Sequence, residues 1–186
     1  MECSVSAVVK RKNPNWVASV LGNVTTLAGK EIACGFPKGK AQAYPDGEGV
    51  ASVAAKNCFG IGVPQRDFMS YAQPLIIERT RATMARIAKL VELPGQGDKV
   101  AALMETAGIA AANAIKRAIR DGDWSPNSDK PMGELLRADI SRSWQVSIPV
   151  GMSYAAAKKK FHKSSKPLID TGHMIQSATS VVRDKA

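Results

Sequence analysis

The sequence predicts an α+β fold, a small antiparallel β-sheet packed by two long helices, with an extended loop or arm ahead of the C-terminal segment. Three observations carry that expectation. Apolar residues recur at three- and four-residue spacing through two central stretches. Short runs of extended character flank turn chemistry on their N-terminal side. The stretch from Asp123 to Lys166 is too long for an ordinary connection in a compact domain, and its edge-like strand could add to a neighbouring sheet. The 186 residues, 45% of them hydrophobic, suffice for one core, so 1–186 is read as a single domain with 123–166 as its arm or loop.

In chain order, Trp16, Val17, Val20, Leu21 and Val24 sit at near-helical spacing behind Asn13-Pro14-Asn15, which predicts a first helix from about Asn15 to Leu27. Glu31 to Phe36 and Ala41 to Tyr44 read as extended. Pro45-Asp46-Gly47-Glu48-Gly49 supplies a turn into Val50-Ala51-Ser52-Val53-Ala54, so a β-hairpin is expected here. After Pro64 the stripe Leu75, Ile76, Met84, Ile87, Leu90 and Val91 predicts a long helix, broken by Pro94-Gly95-Gln96-Gly97. The next helix has the plainest pattern: Val100, Leu103, Met104, Ala107, Ala111, Ala114, Ile115, Ala118 and Ile119 on one side, with Lys99, Glu105, Asn113, Lys116, Arg117 and Arg120 on the other. Asp121-Gly122-Asp123 ends it. Beyond, Trp144, Val146, Ile148 and Val150 alternate with polar residues and Pro149, which predicts an edge strand.

The formal net charge of +10 points to anionic partners, nucleic acid or an acidic protein surface. Basic residues cluster at Lys10-Arg11-Lys12, along Arg79, Arg81, Arg86 and Lys89, and in the run containing Lys158, Lys159, Lys160, Lys163 and Lys166. Cys3, Cys34 and Cys58 are odd in number and lack Cys-x-x-Cys spacing, so they read as reduced, partly buried thiols. His162 and His173 have no metal-ligand spacing around them, and Gly60-Ile61-Gly62 lacks the Lys-Ser/Thr of a phosphate loop. Leu168-Ile169-Asp170-Thr171-Gly172 matches the catalytic loop of aspartic proteases, in which two carboxylates share a proton. With 14 residues after Gly172 there is no room for the segments that complete such a site, so Asp170 or Thr171 is read instead as the cap of a helix starting near His173. No metal and no cofactor are expected, and no enzyme activity. The absence of a long apolar run and of a signal-peptide layout at Met1-Glu2-Cys3-Ser4 leads us to expect a protein without a membrane partner, made in a cytoplasm.

Three ordered segments carry a family resemblance. Val53-Ala54-Ala55-Lys56-Asn57-Cys58-Phe59-Gly60 followed by Val63-Pro64-Gln65-Arg66-Asp67-Phe68 resembles a Val-Ala, Asn-Glu-Phe-Gly, Pro-x-Arg-Pro-Phe pattern, with Cys58 for Glu and Asp67 for Pro. Ala114 to Pro126 resembles a helix end with a Trp-x-Pro loop, and Lys166 to Ser177 a Pro-Leu-x-Asp-Thr-Gly segment with a short helix. Together, from about Glu48 onward, the chain resembles the tail-completion and neck (head-tail joining) proteins of tailed bacteriophages. The resemblance implies a virion structural subunit at the head-tail junction, made in the host cytoplasm. It implies a homo-oligomeric ring compatible with six-fold symmetry, with other neck and tail proteins as partners. Its structural or interface positions are Phe59, Gly60, Pro64, Arg66, Phe68, Trp124, Pro126, Asp170, Thr171 and Gly172. Pro64 is expected to fix the backbone, Arg66 to pair with a carboxylate or cap carbonyls, and Phe68 to anchor a helix start. Lys158, Lys159, Lys160, Lys163 and Lys166 are candidates to contact genome DNA or an acidic partner. A basic DNA-binding accessory protein is the alternative.

Overall fold

A computed structural model describes residues 15–37, 44, 47–127, 129–162, 166–168 and 172–185, save the side chains of Ser143 and His162. The elements run α1 (Trp16–Ala28), β1 (Lys30–Gly35), α2 (Val50–Phe59), α3 (Phe68–Val91), α4 (Gly97–Asp121), α5 (Glu134–Trp144), α6 (Tyr154–His162), α7 (His173–Ser177) and β2 (Thr179–Asp184). The expected α+β class holds, with a two-stranded antiparallel sheet and two long helices against it.

The organising element is α4. Its wide inward face, Val100, Met104, Ala107, Gly108, Ala111, Ala112, Ala114, Ile115, Ala118 and Ile119, is buried because the helix packs against α3 and against both strands. Small side chains allow this close approach. At Gly108 an added Cβ would lie 2.8 Å from Ser180 Oγ and 3.2 Å from Ile32 Cγ2, so backbone and sheet meet with nothing between. The strands pair from Lys30 opposite Asp184 to Gly35 opposite Thr179. Outer ion pairs, Lys30 with Asp184 and Arg183 with Glu31, flank the end of that ladder.

Two apolar clusters form the core. One gathers Val50, Ala54 and Cys58 of α2, Phe68 and Ala72 of α3, Ile115, Ala118 and Ile119 of α4, and Leu168, Met174 and Ala178. The other holds Ile87, Val100 and Met104 near the α3–α4 turn. The first helix fits its predicted span and is tied to that turn by Asn23, a buried residue whose side-chain amide donates to Leu93 O at 2.6 Å and Val91 O at 3.3 Å.

Three local expectations are corrected. Val50 to Ala54 is the start of helix α2, because Val50, Ala54 and Cys58 recur at four-residue spacing and all three are buried. A tight turn does precede it, with Gly47 N donating to Tyr44 O at 2.8 Å, but β1 pairs with the distant β2, not with a hairpin partner; residues 41–43, 45 and 46 lie outside the described residues. Trp144 ends helix α5, and Val146 to Val150 forms no strand. Helix formers, an acid in the first turn (Glu134) and a base in the last (Arg142) favour the helix, and Gln145 caps it in the left-handed region at φ 54°. Only Ile148 of the alternating residues is buried, while Val150 stands free of the core. The stretch 123–166, expected as an extended arm or loop with an edge strand, carries two helices, α5 and α6.

Candidate functional site

The residues singled out from sequence converge on one buried arginine. Helix α2 stops at Gly60, which takes the left-handed conformation (φ 71°), and a Cβ added there would lie 3.1 Å from Gln65 Cβ. The chain doubles back, and Arg66 N donates to Asn57 O at 2.7 Å. Asn57 fixes its own amide by donating to Val53 O at 2.9 Å, which leaves its Oδ1 to accept from Arg66 Nη1 at 3.0 Å. Asp67 then caps α3 by accepting from Ser70 N at 3.0 Å. That backbone N–H holds the Asp67 carboxyl below the usual range. Phe68 follows, fully buried, with its ring edge-on to Phe36 at 6.2 Å. Pro64 itself is exposed, at the bend.

The opposite wall comes from the end of α4. Trp124 folds back over Gly122 and donates Nε1–H to Ala118 O (3.1 Å), which also accepts from Gly122 N, and to Ile119 O (3.3 Å), a carbonyl of the kind a helix end leaves open. A Cβ on Gly122 would lie 2.3 Å from the indole ring, so only glycine fits beneath it. Tyr71 of α3 meets the same indole edge-on at 5.4 Å. This fold-back aims Ser125 O and Pro126 O at the guanidinium: Arg66 Nε donates to Ser125 O at 2.8 Å, and Nη2 donates to Pro126 O at 3.1 Å and Asn127 Oδ1 at 3.0 Å. All four acceptors are neutral. Burial lowers the Arg66 pKa from its usual value, with nearby Tyr154 acting in the opposite sense. The planar fork uses its donors on protein groups, an arrangement that joins the turn between α2 and α3 to the distant 125–127 loop. Of the two roles expected for Arg66, the structure places it on carbonyls and amide oxygens, with no carboxylate among these partners.

The remaining candidates are dispersed. Phe59 is 73% exposed, beside an open apolar recess of about 380 Å³ lined by Cys34, Phe36, Ala54, Cys58 and Met69 among others. Burial pushes both thiols above their ordinary pKa; Cys34 is half-buried and Cys58 buried. Gly172 precedes α7 with φ 76°, and α7 does begin at His173; Asp170 and Thr171 lie outside the described residues, as do Cys3 and the Lys10-Arg11-Lys12 cluster. His173 packs its ring against Tyr44 at 5.1 Å. Among the described residues no three His, Cys, Asp or Glu side chains are grouped to hold a metal ion, and no helix is long and apolar enough to cross a membrane.

The basic run needs a correction. Lys158 is fully buried, and its Nζ donates to Lys166 O at 2.7 Å and Pro167 O at 3.4 Å, so it is not available to DNA or to an acidic partner. The reason is helical phase: Tyr154, Ala157, Lys158 and Phe161 share one side of α6, which leaves Lys159 and Lys160 to face outward. Lys160 sits over the Phe161 ring, and Lys166 donates Nζ–H to Arg120 O at 2.8 Å, at the C-terminal end of α4 where carbonyls attract cations. Lys163 lies outside the described residues.

Sequence reasoning did not single out Asn57, Asn127 or Asn23, whose amides organise these junctions. Asn57 stood in a quoted motif, and Asn23 lies between Val20 and Leu27 on the inward phase of α1, the only signals present. No family model, curated protein or solved structure matches this chain.

Proposed function

We propose that this chain is a structural subunit of a tailed-phage particle, of the tail-completion or neck type, that assembles into a ring at the head-tail junction. The observation that carries this reading is the convergence at Arg66. The segments bearing the resemblance, Asn57 to Phe68, Trp124 to Pro126 and, through Leu168 in the shared core, the Pro-Leu segment, brace one another. Their residues serve as framework, and the buried fork fixes the relative placement of α2, α3 and the end of α4.

A ring subunit also needs faces that pack on its neighbours. Helix α1 contains no charged residue, and Trp16, Val17, Leu21 and Val24 are each between 44% and 58% exposed. Val17, Leu21 and Val24 follow a four-then-three spacing, the seam that helices use to pack on one another. Phe59, Ile61 and Val63 extend apolar exposure beside the recess. Monomers seldom leave so many large apolar side chains in water.

Light scattering on the purified protein, combined with density for the neck of intact particles, tests the reading. Self-association that Leu21→Glu abolishes without loss of helical circular dichroism, and a ring of this fold at the junction, are expected. A protein that stays monomeric across the accessible concentrations and is absent from purified particles would refute it.

A further inference from the structure

The chain carries ten more positive than negative charges, and the structure shows where they are left unneutralised. Several cations elsewhere are met by acids: Lys30 by Asp184, Lys56 by Glu48, Arg117 and Arg120 by Asp121, Arg142 by Asp139 and Arg183 by Glu31. Helix α3 differs. Arg79, Arg81, Arg86 and Lys89 are all exposed, none of them has an ion-pair partner among the described residues, and Glu78 is the only acid between Phe68 and Val91.

At about 100° per residue, Arg79, Arg86 and Lys89 fall within an arc of about 80°, and they span about 15 Å along the axis. Arg81 lies round the helix from them. Ala82 is the exposed residue between, so the arc is low in relief. No other helix among the described residues sets three exposed, unpaired cations on one face.

We infer that this face of α3 binds the phosphate backbone of duplex nucleic acid without reading its sequence. Two arginine forks suit phosphate oxygens in bidentate geometry. Arg79 and Arg86 stand about 10 Å apart along the helix, close to the ~12 Å width of a major groove, so they reach phosphates on its two rims. Residues 78 to 89 include no aromatic, so there is no platform on which unpaired bases would stack, which favours a duplex over a single strand. A protein partner is disfavoured because interfaces centre on apolar anchors, and Ile77 and Met84 project from a different side of the helix. The inference rests on charge pairing and exposure, not on the ring reading, and it replaces the interrupted Lys158 to Lys166 run as the main anion-contacting surface.

The test compares the whole protein with two variants of equal net charge. One is Arg79→Gln/Arg86→Gln/Lys89→Gln; the other removes three paired cations, Lys30→Gln/Lys56→Gln/Arg142→Gln. Binding to a labelled duplex of about 20 base pairs is followed by anisotropy between about 50 and 200 mM salt. The α3 variant is expected to lose at least about tenfold in affinity at about 100 mM salt and to lower the salt slope by about 0.9 for each phosphate contact removed, with the control variant near wild type. Equal loss in both variants would mean that binding follows net charge alone and would overturn the assignment. So would tighter binding of a single strand of the same length, or displacement of the duplex by poly-glutamate at matched charge concentration, which would point to a carboxylate partner. Unchanged circular dichroism is expected of both variants, since every altered side chain lies outside the core; a folded α3 variant that keeps full affinity also overturns it.

Discussion

Replacing Arg66 by alanine removes four hydrogen bonds at once from a side chain that is 3% exposed. A bond from a charged donor contributes about 1.5–3 kcal/mol net, so the gross loss is large. Much of it is offset. Ser125 and Pro126 are exposed residues whose carbonyls return to water, whereas Asn57 and Asn127 are half-buried and their amide oxygens are left poorly satisfied, at about 1–3 kcal/mol each. The charge itself also escapes a dry site, which counts in the variant's favour. The expected balance is a loss of about 2–4 kcal/mol, a large part of the ~5–15 kcal/mol that holds a typical domain folded. At about 2–4 °C per kcal/mol for a chain of this size, melting should fall by roughly 5–15 °C. Urea unfolding followed by circular dichroism, with the slope checked for constancy, reads this directly. Arg66→Lys should lose most of the same amount, because one ammonium cannot span Asn57 on one side and the 125–127 loop on the other. A folded Arg66→Ala protein within about 0.5 kcal/mol of wild type would refute the bracing role, and with it the observation on which the proposed function stands.

Two further substitutions probe the junctions around that frame. Gly108→Ala gains about 1 kcal/mol of helix propensity but drives a methyl against Ser180 and Ile32, a clash of about 1–3 kcal/mol, so a net loss is expected, partly recovered by adding Ser180→Gly in a double-mutant cycle. Asp67→Ala should destabilise by up to about 1 kcal/mol at neutral pH through loss of the α3 cap. Because the folded Asp67 pKa lies below its unfolded value, that contribution is complete above about pH 4 and fades as pH falls through the folded pKa, so acid unfolding curves of variant and wild type should converge at low pH.

How much was legible depended on whether the deciding contact was local. The amphipathic stripe of α4 runs for 25 residues and needs no partner to be recognised, and α1 and α3 were readable for the same reason. Helix α2 was misread because Val50 and Val53, beside a turn, favour a strand by propensity, while burial of Ala54 and Cys58 on one side decides for helix. The partner of β1 could not be read at all, since nothing in Lys30 to Gly35 names a strand that begins at Thr179. At the candidate site, Arg66, Phe68 and Trp124 were identifiable as positions. What joins them was not, because it depends on backbone carbonyls of Ser125 and Pro126 whose direction is set by Trp124 lying on Gly122. Lys158 shows the opposite failure: a run of like charges suggests one solvated face, yet its four-residue offset from Tyr154 placed it inward.

The pairing of residues 30–35 with 179–184 has a consequence for biosynthesis. Translation delivers β1 and the whole of α4 well before its second strand, with about 60 residues still to be added after Asp121, an interval of several seconds at about 5–20 residues per second. Throughout that interval the nascent chain holds an unpaired edge on β1 and, on α4, the part of its apolar face that β2 has yet to cover. Premature release before Thr179 would therefore yield a polypeptide able to recruit the matching strand of a sibling, and abundance in the cell would depend on how quickly the ribosome completes that stretch.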